Sequence, residues 1–392
     1  MTRAPAVLKA AVPLLAACLA TAVAVGAWRG ERALSEGRTA QRRGQFAAAD
    51  SFYRKALESG NADAALERAR LQLLRRDWEG SGESLRAAMS LVPARALPHL
   101  LWARLLSERP GPWDRSREEQ VLRSCRRAVV ADPLRADLRR DCADIALALF
   151  RRAQALGGAR PDAPVLEEAA GGYAAALALD PAAAGRTLEG ALMRGGDPAF
   201  LTDVVFRSGD AVIQSALVGL LADRSLWAQD APGVWAAAEG RGNLPAFAAA
   251  AAKALARRSL LREALEATSR GLAAAPGDRG LAESRADLTA RLPGDEALPA
   301  LEMYRDLLAA DPGNAVVRRR FAGFLVGRGM TADAEREARF ILGGDAKDAE
   351  AWFLLGESLR RSGRPAEAVA AFRAAADLRP ANAAYRRASG RK

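Results

Sequence analysis

Residues 349–382 read AEAWFLLGESLRRSGRPAEAVAAFRAAADLRPAN, and this stretch decides the fold. Apolar and small residues recur at Trp352, Leu355, Gly356 and Leu359, and again at Ala368, Phe372 and Ala375. Both sets have the three-to-four spacing of one helix face. Gly363 stands between them as a helix breaker, and Pro380 closes the second set. The spacing predicts a helix, a tight turn and a second helix.

The same pattern can be followed upstream. One period earlier lie Phe321, Ala322, Leu325, Gly329, Ala334, Ala338 and Ile341, with Ala346 where the closing proline would be. Two further units end at Asp311-Pro312-Gly313-Asn314 and at Pro276-Gly277-Asp278, with second helices carrying Ala300/Tyr304/Leu307 and Ala264/Thr268/Gly271. Nearer the N-terminus the triplets are Ala169/Tyr173/Ala176, Val121/Cys125/Ala128, Ser81/Leu85/Ala88 and Ala49/Tyr53/Ala56. Wider gaps between closing prolines predict longer loops at 109–112 and 157–161. Residues 182–244 read as two degenerate hairpins, punctuated by Gly195-Gly196-Asp197-Pro198 and Gly240-Arg241-Gly242.

This pattern resembles the tetratricopeptide repeat: a large residue, Leu-Gly, a turn glycine, a small residue, an aromatic, another small residue and a closing proline. Leu359 departs from the aromatic that the family places there. The resemblance implies an all-α, right-handed superhelical solenoid. It predicts eight to ten antiparallel helical hairpins over 31–388, with no β-sheet. The expected organisation is an N-terminal segment (1–30), basic repeats (31–181), degenerate hairpins (182–244) and C-terminal repeats (245–388).

Composition agrees with an all-helical chain. Half of the 392 residues are hydrophobic, aromatics are only 6%, and much of the apolar content is alanine, the best helix former. The net charge of +11 is unevenly placed: Lys and Arg outnumber Asp and Glu by 28 to 17 before residue 161, and match them at 30 to 30 afterwards.

Residues 10–28, AAVPLLAACLATAVAVGAW, are uncharged and flanked by Arg3 and Lys9 on one side and Arg29 on the other. As a helix they span about 28 Å, close to a hydrocarbon core of about 30 Å. Three readings are open: an uncleaved single-pass anchor, a signal peptide cut after Val25-Gly26-Ala27, or a lipoprotein signal in which Leu15-Ala16-Ala17-Cys18 marks lipidation of Cys18. Each uses an export route, which places the solenoid outside the cytoplasm. The arginines that follow, Arg29, Arg32, Arg38, Arg42 and Arg43, are then expected to face anionic headgroups.

Motifs for catalysis are missing. No P-loop, GxSxG, HExxH or EF-hand loop occurs. The one histidine, His99, and the three cysteines, Cys18, Cys125 and Cys142, do not cluster as zinc ligands do. Cys125 and Cys142 fall on inward positions of adjacent helices, close together and unbonded. Asp311-Pro312-Gly313-Asn314 reads as a turn, not a metal loop. Arg318-Arg319-Arg320 reads as a mixture of groove and solvent positions, because consecutive helical residues point in different directions. The reading is a non-enzyme without cofactor or metal, binding protein partners and no nucleic acid.

In the family that the repeats resemble, the second, fifth, ninth, twelfth and thirteenth residues of each first helix line a concave groove. The resemblance therefore implies a partner-binding groove at Arg285, Thr289, Val316, Arg319, Gly323, Glu350, Phe353, Glu357, Arg360 and Arg361. The asparagines with which chaperone-tail-binding members grip a C-terminal carboxylate are missing from these units. The expected function is a membrane-anchored scaffold for assembling or stabilising an envelope or membrane complex. The alternative is a basic solenoid that binds an anionic polymer or lipid surface.

Overall fold

Residues 4–155 and 163–390 are described by a computed structural model, with side chains from residue 20 onward. The loop expected at 157–161 therefore lies outside the described residues. Among those described there are helices and turns but no strand. The chain divides into two compact units, Met1–Ser208 and Gly209–Lys392.

Unit 1 contains α1 (Ala4–Arg42), α2 (Phe46–Glu58), α3 (Ala62–Leu74), α4 (Trp78–Leu91), α5 (Ala96–Glu108), α6 (Arg115–Ala131), α7 (Ala136–Ala155), α8 (Ala163–Leu179), α9 (Ala184–Met193) and α10 (Pro198–Ser208). Unit 2 contains α11 (Ala211–Asp223), α12 (Trp227–Gly240), α13 (Leu244–Ala256), α14 (Leu261–Ala274), α15 (Arg279–Ala290), α16 (Ala300–Ala310), α17 (Ala315–Gly327), α18 (Thr331–Gly344), α19 (Ala349–Arg361), α20 (Pro365–Leu378) and the short α21 (Ala383–Ala388). Odd-numbered helices are the first of each pair, even-numbered ones the second.

Close packing rests on small residues at fixed places. The eighth residue of α3, α5, α7, α13, α15 and α17 is alanine: Ala69, Ala103, Ala143, Ala251, Ala286 and Ala322 are all fully buried. In α19 the eighth residue is Gly356, where an added Cβ would lie 2.5 Å from Cε1 of Phe372 in α20. In the second helices the fourth, eighth and eleventh residues form the buried triplet. Ala49/Tyr53/Ala56, Ser81/Leu85/Ala88, Ala334/Ala338/Ile341 and Ala368/Phe372/Ala375 are all in the core.

The joints are equally regular. Asp278, Asn314, Asp348 and Asn382 precede α15, α17, α19 and α21, and each accepts hydrogen bonds from first-turn backbone N–H groups. Those donors have no partner within the helix, so the side chain fixes where each first helix starts. Asn314 thus caps a helix, which gives Asp311-Pro312-Gly313-Asn314 its structural role. Gly363 turns α19 into α20 with φ of 78°, a left-handed conformation that costs glycine least.

Residues 182–244 hold α9 to α12. Here α11 packs chiefly on α13, and α12 contacts both weakly. Val218, fully buried, occupies the eighth position of α11 where the other first helices have alanine or glycine. A larger residue at the place of closest approach keeps α12 from the usual hairpin contact.

The N-terminal expectation is corrected. No helix among the described residues is long and apolar enough to cross a membrane. The apolar run is part of one helix, α1, that continues through Arg29, Glu31, Arg32 and Glu36 to Arg42. Its C-terminal turns are the first helix of the first hairpin: Leu34 and Ala40 are buried in the cluster around Tyr53. An added Cβ at Gly37 would lie 2.5 Å from the Tyr53 ring, the same contact that Gly356 makes with Phe372. The side chains of residues 10–19, Cys18 among them, lie outside those described. Of the arginines that follow, Arg32 pairs with Glu36 at 2.9 Å and Arg38 with Glu67 at 3.1 Å.

Candidate functional site

The groove positions named from the sequence fall on α15, α17 and α19. Side chains at the second, fifth and ninth places of a helix share one face by the helical repeat. In α19, Glu350, Arg360 and Arg361 are exposed, and Phe353 and Glu357 are half-buried. Glu357 accepts from Arg360 at 2.7 Å, with Arg361 at 4.0 Å. Phe353 is partly covered by α21, its ring centroid 4.9 Å from that of Tyr385 and 5.5 Å from that of Phe372.

In α17, Val316 is exposed, while Arg319 and Gly323 are half-buried. Arg319 reaches across to α19, where it pairs with Asp348 and approaches Glu350 to 3.8 Å. Burial pushes the Asp348 carboxyl up. The amides of Ala351 and Glu350 and the Arg319 guanidinium outweigh that, so it stays below the usual carboxylate range. In α15, Arg285 is half-buried, and Thr289 is buried with its hydroxyl donating to the Arg285 carbonyl at 2.8 Å. The structure therefore brings Arg319, Glu350 and their neighbours together, and turns Thr289 inward.

The triple arginine is accounted for within unit 2. Arg318 is buried, pairs with Glu337, donates to the Pro312 carbonyl at 2.6 Å and lies 3.7 Å from the Phe340 ring centroid. Arg319 turns to α19 and Arg320 to α15, where it meets Asp287 at 2.6 Å. Three consecutive guanidiniums point in three directions and none stands alone.

Other singled-out residues are structural. His99 Nε2 lies 3.1 Å from the Pro93 carbonyl oxygen. Cys125 and Cys142 are free and buried, with Cys142 Sγ 3.7 Å from the Cys125 carbonyl. The hydrogen bond with Cys142, and then burial, push the Cys125 thiol far above its ordinary range. Among the described residues, no group of three or more His, Cys, Asp or Glu is placed to hold a metal ion.

The first helices of unit 1 carry a second feature that sequence reasoning missed. A hollow of about 510 Å³ opens among α3, α5 and α7, lined by Leu73, Leu74, Leu97, Leu100, Arg70 and Arg104, among others. A neighbouring hollow of about 370 Å³ shares Arg104, Glu108 and Asp141 and reaches Arg194. The signal was available: Arg70, Leu73 and Leu74 are the ninth, twelfth and thirteenth residues of α3, and Leu97, Leu100 and Arg104 the second, fifth and ninth of α5. Burial, together with Asp144 and Asp137, holds Asp141 above its ordinary value despite Arg104 and Arg140 beside it.

A family model described as tetratricopeptide repeat matches residues 349–382. Several solved structures are similar to parts of the chain at low identity. MamA from Desulfovibrio magneticus RS-1 is 18% identical with a TM-score of 0.35, over 38% of this chain and 82% of that one. YrrB, a TPR protein with an unusual peptide-binding site, is 16% identical with a TM-score of 0.36, over 48% of this chain and 97% of that one. The P58(IPK) TPR domain is 13% identical with a TM-score of 0.26, over 92% of this chain and 96% of that one. No curated protein matches the chain.

Proposed function

Because this chain belongs to the tetratricopeptide-repeat family, we propose that it is a scaffold that binds protein partners and performs no catalysis. The observation that carries the reading is the contrast between the two sides of the last hairpins. Their interior is closed by the small-residue register. The first-helix face leaves Val316, Glu350 and Arg360 exposed, with Phe353 and Glu357 half-buried. Such a face is a surface for recognition, and stacked repeats present it as a continuous strip. Within each unit the hairpins are proposed to stack in a right-handed superhelical sense. The divisions at 30, 181 and 244 are likewise proposed boundaries within the array.

The role that fits is assembly or stabilisation of a protein complex, with the groove residues from Arg285 to Arg361 as the docking strip. The test is affinity capture from the chain's own lysate, wild type against a variant carrying Val316→Asp, Glu350→Arg and Arg360→Glu. These residues are exposed, so the fold is expected to survive. A partner held by the wild type and lost from the variant supports the reading. Identical capture by both refutes it for this face.

The alternative, binding of an anionic polymer, draws on one observation: the whole excess of +11 lies before residue 161. Salt separates the two. Binding through screened charge falls steeply as ionic strength rises, whereas an apolar contact changes little.

A further inference from the structure

The paired thiols of unit 1 sit at a hollow that the scaffold reading leaves unused. It has a volume of about 260 Å³, opens among α6, α7 and α8, and is lined by both Cys125 and Cys142. Its α7 residues, Arg139, Cys142 and Ala143, are the fourth, seventh and eighth of that helix, so it lies off the strip of second, fifth and ninth residues. α8 presents Gly171 and Gly172 to it, and a Cβ added at Gly171 would meet nothing within 4 Å. Missing side chains therefore leave the space open. Cys125 is 3% and Cys142 8% exposed, they share a hydrogen bond, and Cys142 Sγ lies 3.7 Å from the Cys125 carbonyl oxygen.

The lining offers two sulfur ligands and no third. Its carboxylate, Glu168, accepts from both arms of the Arg126 guanidinium, at 3.0 and 2.7 Å. A structural zinc site needs four ligands, and catalytic zinc three, so this pair suits neither. Thiolates select soft ions such as copper(I), which accepts two ligands. Charge points the same way. The ionised residues of the lining are Arg126, Arg139 and Glu168, a net +1. Arg126 and Glu168 cancel, whereas Arg139 donates to the Pro133 carbonyl at 2.8 Å and, among the described residues, forms no ion pair. Two thiolates on a monovalent ion carry a net −1, and a buried charge needs an opposite one beside it.

We propose that Cys125 and Cys142 bind a soft monovalent cation of the copper(I) class as a two-coordinate bis-thiolate, with Arg139 as its countercharge. Loading is M⁺ + 2 R–SH → [M(SR)₂]⁻ + 2 H⁺. Two metal–sulfur bonds form, two S–H bonds break, both protons leave to solvent, and nothing is oxidised or reduced. The ion ties α6 to α7, and so one hairpin to the next. The proposal goes beyond the scaffold reading and does not depend on it.

The test uses the full chain carrying Cys18→Ser, so that Cys125 and Cys142 are its only thiols. The probe is copper(I) held as its coloured bicinchoninate complex under anaerobic conditions. The chain is expected to withdraw a single equivalent, read as loss of colour. Adding Cys125→Ser or Cys142→Ser should weaken uptake by about a hundredfold or more, since even an outer-shell contact is worth about 10–100-fold. Arg139→Gln, which keeps both thiols, should weaken it by about tenfold. Circular dichroism verifies that the variants remain folded. Amide hydrogen exchange of the unaltered pair gives a readout that needs no variant: copper(I) should slow exchange in α6 and α7 and leave α18 to α20 as they were. No withdrawal of copper(I), or equal withdrawal by either serine variant, would overturn the proposal. Uptake of zinc(II) from a chelator of matched affinity, or unchanged uptake by Arg139→Gln, would overturn the choice of a monovalent ion. Protection confined to other helices would place the ion elsewhere and do the same for the site.

Discussion

Gly356→Ala tests the packing register most directly. The new Cβ would stand 2.5, 2.6 and 3.0 Å from Cε1, Cδ1 and Cζ of Phe372, where carbon atoms in contact prefer about 3.5–4.0 Å. The ring would have to retreat by about 1 Å. It is 3% exposed and lies against Phe353, so it has nowhere to go. Overpacking of this kind costs about 1–3 kcal/mol. The substitution also brings the helix-propensity gain of alanine over glycine, about 1 kcal/mol. A control in the same unit cancels that gain. Gly233 lies inside α12, exposed, with nothing within 4 Å of an added Cβ, so Gly233→Ala receives the propensity term alone. The two variants should therefore differ by about 2 kcal/mol, with Gly356→Ala the less stable. For a domain of this size the spread is about 4–8 °C in Tm. Repeat arrays can unfold in parts, so amide hydrogen exchange in α19 and α20 is the second readout. If Gly356→Ala proved as stable as Gly233→Ala, the close approach of α19 to α20 would be wrong, and with it the register of the last repeat.

Three further outcomes are expected. Gln214 is fully buried and neither polar atom of its side chain has a partner, so Gln214→Leu should raise stability to urea by about 1–3 kcal/mol; a loss would mean that the amide is satisfied. Cys125 and Cys142 should resist iodoacetamide in the native chain at neutral pH and react on unfolding, because a buried protonated thiol is a poor nucleophile; rapid native labelling would contradict their placement. Asp348 titrates below its ordinary value when folded, so its contribution is present above the unfolded value of about 3.9 and is lost as pH falls through the lower folded value. Asp348→Asn keeps an N-cap acceptor without the charge, and should show a shallower loss of stability in acid urea titrations than the wild type.

Much of this architecture was legible because close packing of two helices leaves few choices. Where α20 meets α19 only a small residue fits at Ala368 and Ala375, and only a ring fills the gap at Phe372, so the triplet can be read from the letters alone. The same argument reached Ala49, Tyr53 and Ala56 at the other end of the chain. It weakened at α11, where Val218 replaces the small residue and the pair opens. The apolar run at 10–28 misled because length and lack of charge do not reveal what a helix does at its far end. α1 carries on into charged turns, and Gly30 and Gly37 do not break it. Both are buried against α2, near Ser59 and Tyr53, where any side chain would collide. The groove in unit 1 followed from the same positional rule as the C-terminal one. What the sequence could not supply was depth: that Asp141 and Asp144 lie below the arginines that neutralise them.

The arginines at the ends of the first helices meet different surroundings in the two units. In unit 2 these residues reach back to the preceding hairpin. Arg291 donates to the Ala256 carbonyl at 3.3 Å, Arg361 to that of Val326 at 2.7 Å, and Arg328 to that of Gly294. Arg258 pairs with Asp223 at 2.6 Å in the same manner. Carbonyls at a helix end lack partners within the helix and carry the negative end of its dipole, so a guanidinium there joins one hairpin to the next. In unit 1, Arg152 does the same to the Ser107 carbonyl at 3.3 Å. The side chains of Arg43, Arg75, Arg76 and Arg109, at the corresponding turns of the first three hairpins, are exposed and form no ion pair. One residue type at one place in the repeat thus has two fates. Where the guanidinium turns inward it joins one hairpin to the next. Where it turns outward, as at Arg43, Arg75, Arg76 and Arg109, it is left to solvent.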